Sequence, residues 1–187
     1  MEEKTIQELS EVIQSSNLNF LFGAGTSTPF FPLLGSIEVE LNKATTDEER
    51  EAKYKEYFTK VMLPNKQIFE TDLSGDANFS QTESAYIDFF KALSGILIRR
   101  KTTILSKQAN LFTTNIDVLM EKILEGLNIE YNDGFSGKFD PIFGLANFKK
   151  ATYQRSLHFD HISEIPVFNI IKIHGSLTWM HNSTQDK

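Results

Sequence analysis

Cysteine is absent from the 187 residues. That excludes disulfides, a thiol nucleophile and every zinc site built on thiolates. No apolar run approaches the roughly 20 residues that cross a bilayer. The amino terminus carries Glu2, Glu3 and Glu8 and lacks the positive start and apolar stretch of a signal peptide. A cytoplasmic protein with no membrane partner is the reading, and the sequon Asn182-Ser183-Thr184 is then a chance pattern. Positive charge is scarce, with 19 Lys and Arg against 25 Asp and Glu and a formal charge of -6. This argues against a broad nucleic-acid footprint.

What is present describes a globular domain. Hydrophobic residues make up 40% and charged residues 24%, the balance of a soluble fold. The length suits one domain, residues 1–187, with a sizeable core and leaves no room for two ordinary ones. Sixteen phenylalanines against one tryptophan predict a core rich in phenyl rings.

Strand and helix signals alternate along the chain. Ile6, Leu9, Val12 and Ile13 recur at helical spacing and predict an opening amphipathic helix. Leu18 to Phe22 reads as a short strand closed by a glycine-rich turn. Thr46 with Glu49 makes a capping box that opens a charged helix ending before Pro64. Asn65 to Phe79 is mixed and polar, and reads as a long loop. Ser80 with Glu83 makes a second box. The helix after it buries Tyr86, Phe89, Phe90, Leu93 and Leu97, and ends in Arg99, Arg100 and Lys101, where positive charge suits the helix dipole.

Ala109 to Thr113 is the next strand. Asp117 caps a helix that turns Leu119, Ile123 and Leu124 inward and stops at Gly126. Asn128 to Tyr131 reads as a short strand. From Asn132-Asp133-Gly134 to Pro166 the periodicity is weak, and Val167 to Ile173 is a strong buried strand. Strands alternating with helices predict an α/β fold with a parallel sheet and flanking helices.

Three short motifs follow strand candidates in order. Gly23-Ala24-Gly25-Thr26-Ser27 offers bare backbone to a phosphate. Thr114-Asn115-Ile116-Asp117 offers an amide beside a carboxylate, and His174-Gly175 an imidazole. In open α/β sheets ligands bind beyond the carboxyl ends of strands, so all three would face one crevice. Each also has a structural reading. The glycines suit a tight turn, with Thr28 where a dinucleotide fingerprint has its third glycine. Asp117 suits a cap, Asn115 a turn, and His174 a strand end. Pro29, Phe30 and Phe31 read either as core or as a lid over a bound ring. His158, Asp160 and His161 have metal-ligand types at a spacing that matches no familiar site, and read as a solvated loop. Trp179 reads as a packing residue near the site mouth.

The order of the motifs resembles the SIR2 (sirtuin) superfamily. Sirtuins carry Gly-Ala-Gly-x-Ser, Thr-Gln-Asn-x-Asp and His-Gly at the ends of parallel strands in a Rossmann-like NAD-binding domain. Here these are Gly23 to Ser27, Thr113 to Asp117 with Thr114 in place of glutamine, and His174-Gly175. Deacylase sirtuins usually carry four zinc-binding cysteines, which this chain lacks, and a shorter gap between the second and third motifs. The ending Lys172-Ile173-His174-Gly175-Ser176-Leu177-Thr178-Trp179 is similar to the SIR2-like NADase domains of bacterial antiphage defence proteins.

That resemblance implies a hydrolase that cleaves NAD+, its substrate, to ADP-ribose and nicotinamide, depletes the infected cell of NAD and needs no metal. It implies Asn115 orienting water or ribose, His174 as general base, and Asp117 fixing the ribose or nicotinamide end. Gly23, Ala24, Gly25, Thr26, Ser27, Thr114 and Gly175 would bind the dinucleotide. Two alternatives stay open: a module that senses NAD or ADP-ribose without chemistry, and a protein deacylase. A phage or partner-protein trigger is a further expectation. Thirteen residues follow His174, whereas a strand–helix unit with its partner strand takes roughly thirty. The fold is therefore expected to be incomplete at the carboxyl end, completed by a longer chain or by homo-oligomerisation. The isolated chain is expected to self-associate and turn over little NAD.

Overall fold

The computed structural model describes residues 2–33, 35–100, 104–155, 157 and 161–180. Helix α1 (Glu2–Ser15) leads into strand β1 (Leu18–Phe22), and a 3-10 turn (Ala24–Ser27) follows. Helices α2 (Gly35–Lys43) and α3 (Asp47–Tyr57) come next, then a π turn (Phe58–Met62), α4 (Leu63–Glu70) and the long α5 (Ala77–Ile98). After β2 (Gln108–Thr113) and α6 (Leu119–Gly126) come five short strands: β3 (Tyr131–Asn132), β4 (Phe135–Ser136), β5 (Ile142–Phe143), β6 (Thr152–Arg155) and β7 (Ile162–Ile165). Strand β8 (Val167–Lys172) closes the sheet. The architecture is mixed α/β, with helices flanking a four-stranded parallel sheet of order β1-β2-β8-β3. Among the described residues no helix is long and apolar enough to cross a membrane.

The chain forms two compact units. The first comprises Met1–Leu21, Ile87–Thr113 and Leu124–Ile171. Its core is apolar: Phe90, Leu97, Leu111, Leu124 and Phe168 are fully buried. The Phe90 and Phe168 rings lie 5.8 Å apart, and Phe89 meets Phe90 edge-on at 5.6 Å. In β2, Ala109, Leu111 and Thr113 are buried in alternation, whereas β8 is buried on both faces, as a central strand of a parallel sheet should be. A polar rung crosses this sheet. Asn169 donates to Asn110 at 2.8 Å and to Gln108 at 3.2 Å, and Asn110 donates to Asn19 at 2.8 Å.

Several sequence expectations change in this unit. Helix α1 forms, yet Ile6, Leu9 and Val12 of its apolar stripe are exposed. Arg100 is not a solvated helix end. It is buried and donates to the carbonyls of Ile13, Ser16 and Ser106 at 2.9–3.0 Å, joining the end of α1 to the chain before β2. Lys101 lies outside the described residues. The strand expected at Asn128 to Tyr131 is Tyr131–Asn132, paired with Phe168 and Asn169. Asn128 takes φ 54° there, the left-handed conformation asparagine tolerates, and turns the chain after α6. The weakly periodic stretch holds two antiparallel pairs, β4–β5 and β6–β7. Gly134 must be glycine: its φ is +87°, and a Cβ would come within 2.5 Å of Phe143.

The second unit comprises Phe22–Tyr86, Thr114–Ile123 and Lys172–Lys187. The capping box opens α3 as expected, with Thr46 and Glu49 bonded reciprocally. Of the loop expected from Asn65 to Phe79, only 71–76 is non-helical: 65–70 belongs to α4 and 77–79 to the first turn of α5. Pro64 is the second residue of α4, and helical backbone runs into it directly from the π turn. Asp76, rather than Ser80, caps α5, its carboxylate accepting from the amides of Asn78 and Phe79 at 2.8 and 3.0 Å. Phe30 is half-buried against Phe31 and Phe79, with ring centres 4.8 and 5.1 Å away, so the phenylalanine pair belongs to the core.

Candidate active site

All three motifs contribute to the second unit, and short backbone bonds fix two of their junctions. The Thr114 amide donates to the Phe22 carbonyl at 3.2 Å, and the Leu177 amide to the Ile116 carbonyl at 3.1 Å. A cavity of about 230 Å³ is lined by Ala24 and Ser27 of the first motif, Thr114 to Asp117 of the second, and His174 of the third. Phe31, Pro32, Tyr57 and Val61 make its apolar side. Gly23, Gly25, Thr26 and Gly175 are not among the lining residues.

Ser27 is the centre of the polar wall. It is 1% exposed, and its hydroxyl lies 3.1 Å from Asp117 Oδ2, 3.2 Å from Tyr86 Oη and 3.0 Å from Asn115 Nδ2, which donates to it. Asn115 Nδ2 also reaches Thr26 Oγ1 at 3.4 Å. The amide is thus oriented by its nitrogen. Asp117 caps α6 as the sequence predicts, Oδ1 accepting from the Leu119 amide at 3.1 Å, while Oδ2 faces Ser27. Burial holds its carboxyl above the ordinary aspartate range, against the pull of the Leu119 amide, Lys172 and Ser27. Burial also raises the Tyr86 phenol.

The two glycine motifs differ in what requires glycine. Gly175 has φ +82°, so the backbone alone accounts for it, and a Cβ there would only touch the Trp179 ring at 3.6 Å. Gly23 is extended, and a Cβ at Gly23 or Gly25 would meet nothing within 4 Å. Neither chain conformation nor packing demands glycine at those two positions. His174 is exposed at the cavity wall, and Trp179 packs beside Gly175 without lining the cavity.

Lys172 ties the second and third motifs together. It is buried, donates to the Asp117 carbonyl, reaches the Ser176 hydroxyl at 3.4 Å and forms an ion pair with Glu121 at 2.8 Å. Sequence reasoning missed this residue, and also Tyr57 and Val61. Tyr57 ends α3 and Val61 lies in the π turn that follows, a distortion frequent at functional sites and without a sequence signature here. Among the described residues no cluster of His, Asp and Glu could hold a metal ion. His158 and Asp160 lie outside those residues.

Compared with known proteins, the chain matches no protein-family model and no curated protein.

Proposed function

We propose that the chain is a SIR2-like NAD+ glycohydrolase that releases nicotinamide and ADP-ribose. The observation that carries this reading is convergence: residues from three motifs far apart in sequence line one cavity, with Ser27, Asn115, Asp117 and His174 on its polar side. The apolar side, Phe31, Pro32, Tyr57 and Val61, suits a flat ring. At about 230 Å³ the cavity is smaller than the roughly 300–1,000 Å³ of pockets that hold a whole drug-sized ligand. It suits the nicotinamide–ribose end of the dinucleotide alone. The open space over Gly23 and Gly25 leaves their backbone accessible to the pyrophosphate.

The chemistry asked of these residues is modest. The nicotinamide nitrogen already carries the positive charge, so the ring departs neutral and needs no general acid. Glycosidases, by contrast, use one carboxyl group to protonate the leaving group. Water adds to the ribose carbon that nicotinamide leaves, and His174 takes the proton that water loses. Asn115, fixed by its nitrogen, turns an amide oxygen toward that water or a ribose hydroxyl. Asp117 fixes the ribose or nicotinamide end and favours positive charge at the reacting carbon.

The setting belongs to the same proposal and rests on the sequence resemblance: depletion of NAD in antiphage defence, in the cytoplasm, under a phage or partner-protein trigger, with further domains or copies completing the fold. The test follows nicotinamide release from NAD+ by the full-length natural protein, with and without an acylated peptide. Release without peptide is the expected result. Release only with peptide would make the protein a deacylase, and binding of NAD+ or ADP-ribose without release would make it a sensing module.

A further inference from the structure

Asn65 lies outside the three motifs and is not among the lining residues, yet its side chain joins the two sides of the cavity. It is the third residue of α4 and is 4% exposed. Its Nδ2 donates to the Val61 carbonyl at 2.9 Å, and its Oδ1 accepts from the Val118 amide at 3.2 Å. These partners fix which way the amide points. A carbonyl can only accept and a backbone N–H can only donate, so a flipped amide would set oxygen against oxygen and N–H against N–H. Asparagine is a poor helix former, and burying its amide is costly unless it is bonded. The bonds to Val61 and Val118 offset both penalties.

Each partner leads to a residue of the cavity. Val61, in the π turn, belongs to the apolar side. Val118 follows Asp117 directly, at the start of α6, where the first amides have no acceptor within the helix. The Leu119 amide is met by Asp117 Oδ1 at 3.1 Å, and Asp117 Oδ2 lies 3.1 Å from Ser27. The Val118 amide is met by Asn65, so Asp117 keeps one oxygen on Leu119 and the other on Ser27. Val118 is 3% exposed. Were its amide left unmet, the adjoining backbone would have to move to satisfy it, and the adjoining residue is Asp117.

We propose that Asn65 is a positioning residue of this site, its one amide setting the spacing between the Val61 side of the cavity and Asp117. The catalytic consequence rests on the NAD reading. The bond to Val118 fixes the carboxyl group that favours positive charge at the reacting carbon, and the bond to Val61 fixes part of the surface against which the nicotinamide ring lies. Two conservative variants cut these bonds one at a time. The side chain of Asn65→Ser is too short to reach the Val118 amide, but a helical hydroxyl bonds the carbonyl four residues back, here that of Val61. Thr59 and Thr82 do so in this chain, at 2.8 Å to the Lys55 carbonyl and 2.9 Å to that of Asn78. Asn65→Asp, ionised at about pH 8, keeps an oxygen for the Val118 amide and sets its other oxygen against the Val61 carbonyl, which ends that bond.

Amide hydrogen exchange tests the positioning without a ligand, so its outcome is separate from that of the NAD reading. The Leu119 amide reports on Asp117, and the amide of Ile123, buried in the same helix, corrects for any general loss of stability. In Asn65→Ser the protection of Leu119 should fall about tenfold more than that of Ile123. In Asn65→Asp the two should fall together. Equal falls in Asn65→Ser, or a selective fall at Leu119 in Asn65→Asp, overturn the proposal. NAD+ turnover per folded molecule gives the second readout. Asn65→Ser should lower kcat about tenfold with KM held within about twofold, whereas Asn65→Asp should raise KM by more than it lowers kcat. An unchanged kcat in Asn65→Ser also overturns the proposal. A wild-type protein that releases no nicotinamide sinks the NAD reading and leaves hydrogen exchange to decide. Should Asn65→Ser fail to fold, Asn65→Asp decides: Leu119 keeping pace with Ile123 sustains the proposal, and a selective fall at Leu119 overturns it.

Discussion

Arg100 in the first unit and Ser27 in the second are both buried, yet their hydrogen bonds go to different kinds of group. Arg100 donates to three backbone carbonyls and holds the end of α1 to the chain before β2. Ser27 bonds to the side chains of Asn115, Tyr86 and Asp117. A side chain committed to backbone fixes a fold. A set of side chains committed to one another, beside a cavity, fixes the positions of functional groups. The apolar cores differ in the same sense. The Phe90 and Phe168 rings pack together in the first unit, whereas the Tyr86 ring in the second carries a hydroxyl that bonds Ser27 and Thr26.

The sharpest way to break this contrast is to damage the first unit alone. Phe168→Ala empties a fully buried site and should cost about 3–5 kcal/mol of stability, read from the denaturant midpoint. NAD cleavage per folded molecule should stay at the wild-type level. A loss of turnover beyond the loss of folded protein would mean that the first unit shapes the chemistry directly.

A smaller effect sharpens the contrast through pH. Burial places the folded-state pKa of Asp117 above its unfolded value. Between those two values the folded chain therefore binds more protons than the unfolded one, and this residue's contribution to stability falls as pH rises. Asp117→Asn should remove that fall. The difference in denaturant midpoint between variant and wild type should grow in the variant's favour as pH rises through the window and vanish below the ordinary aspartate value. A difference that stays flat across the series would show that Asp117 is not held above its ordinary value.

Much of the frame was legible because apolar runs mark strands. Leu18 to Phe22 is β1 to the residue, and β2 and β8 fall within one residue of expectation at an end. The Thr46–Glu49 box was equally legible, since its bonds are local. What failed was competition between local signals. Ser80 with Glu83 looks like a helix start, but Asp76 captures two orphan amides first. Pro64 looks like a stop, but the backbone stays helical from the π turn through it into α4. In the cavity, the motif residues were legible by type. Tyr57 and Val61 were not, because a π turn has no local signature here. Tyr86 was read correctly as buried by its spacing, while the bonding of its hydroxyl depends on residues 59 and 60 positions away.

The proposed NAD cleavage is assigned to the cavity of the second unit and is expected to be separable from folding. Its most direct test is NAD turnover by His174→Ala and Asn115→Ala in the full-length natural protein, with stability measured on the same samples. His174 is exposed, so its removal should change stability by less than about 0.5 kcal/mol. Asn115 donates to Ser27 and Thr26, and its removal should cost about 1–2 kcal/mol. Turnover per folded molecule should fall at least about a hundredfold in both. Near-wild-type turnover in either folded variant would contradict the account.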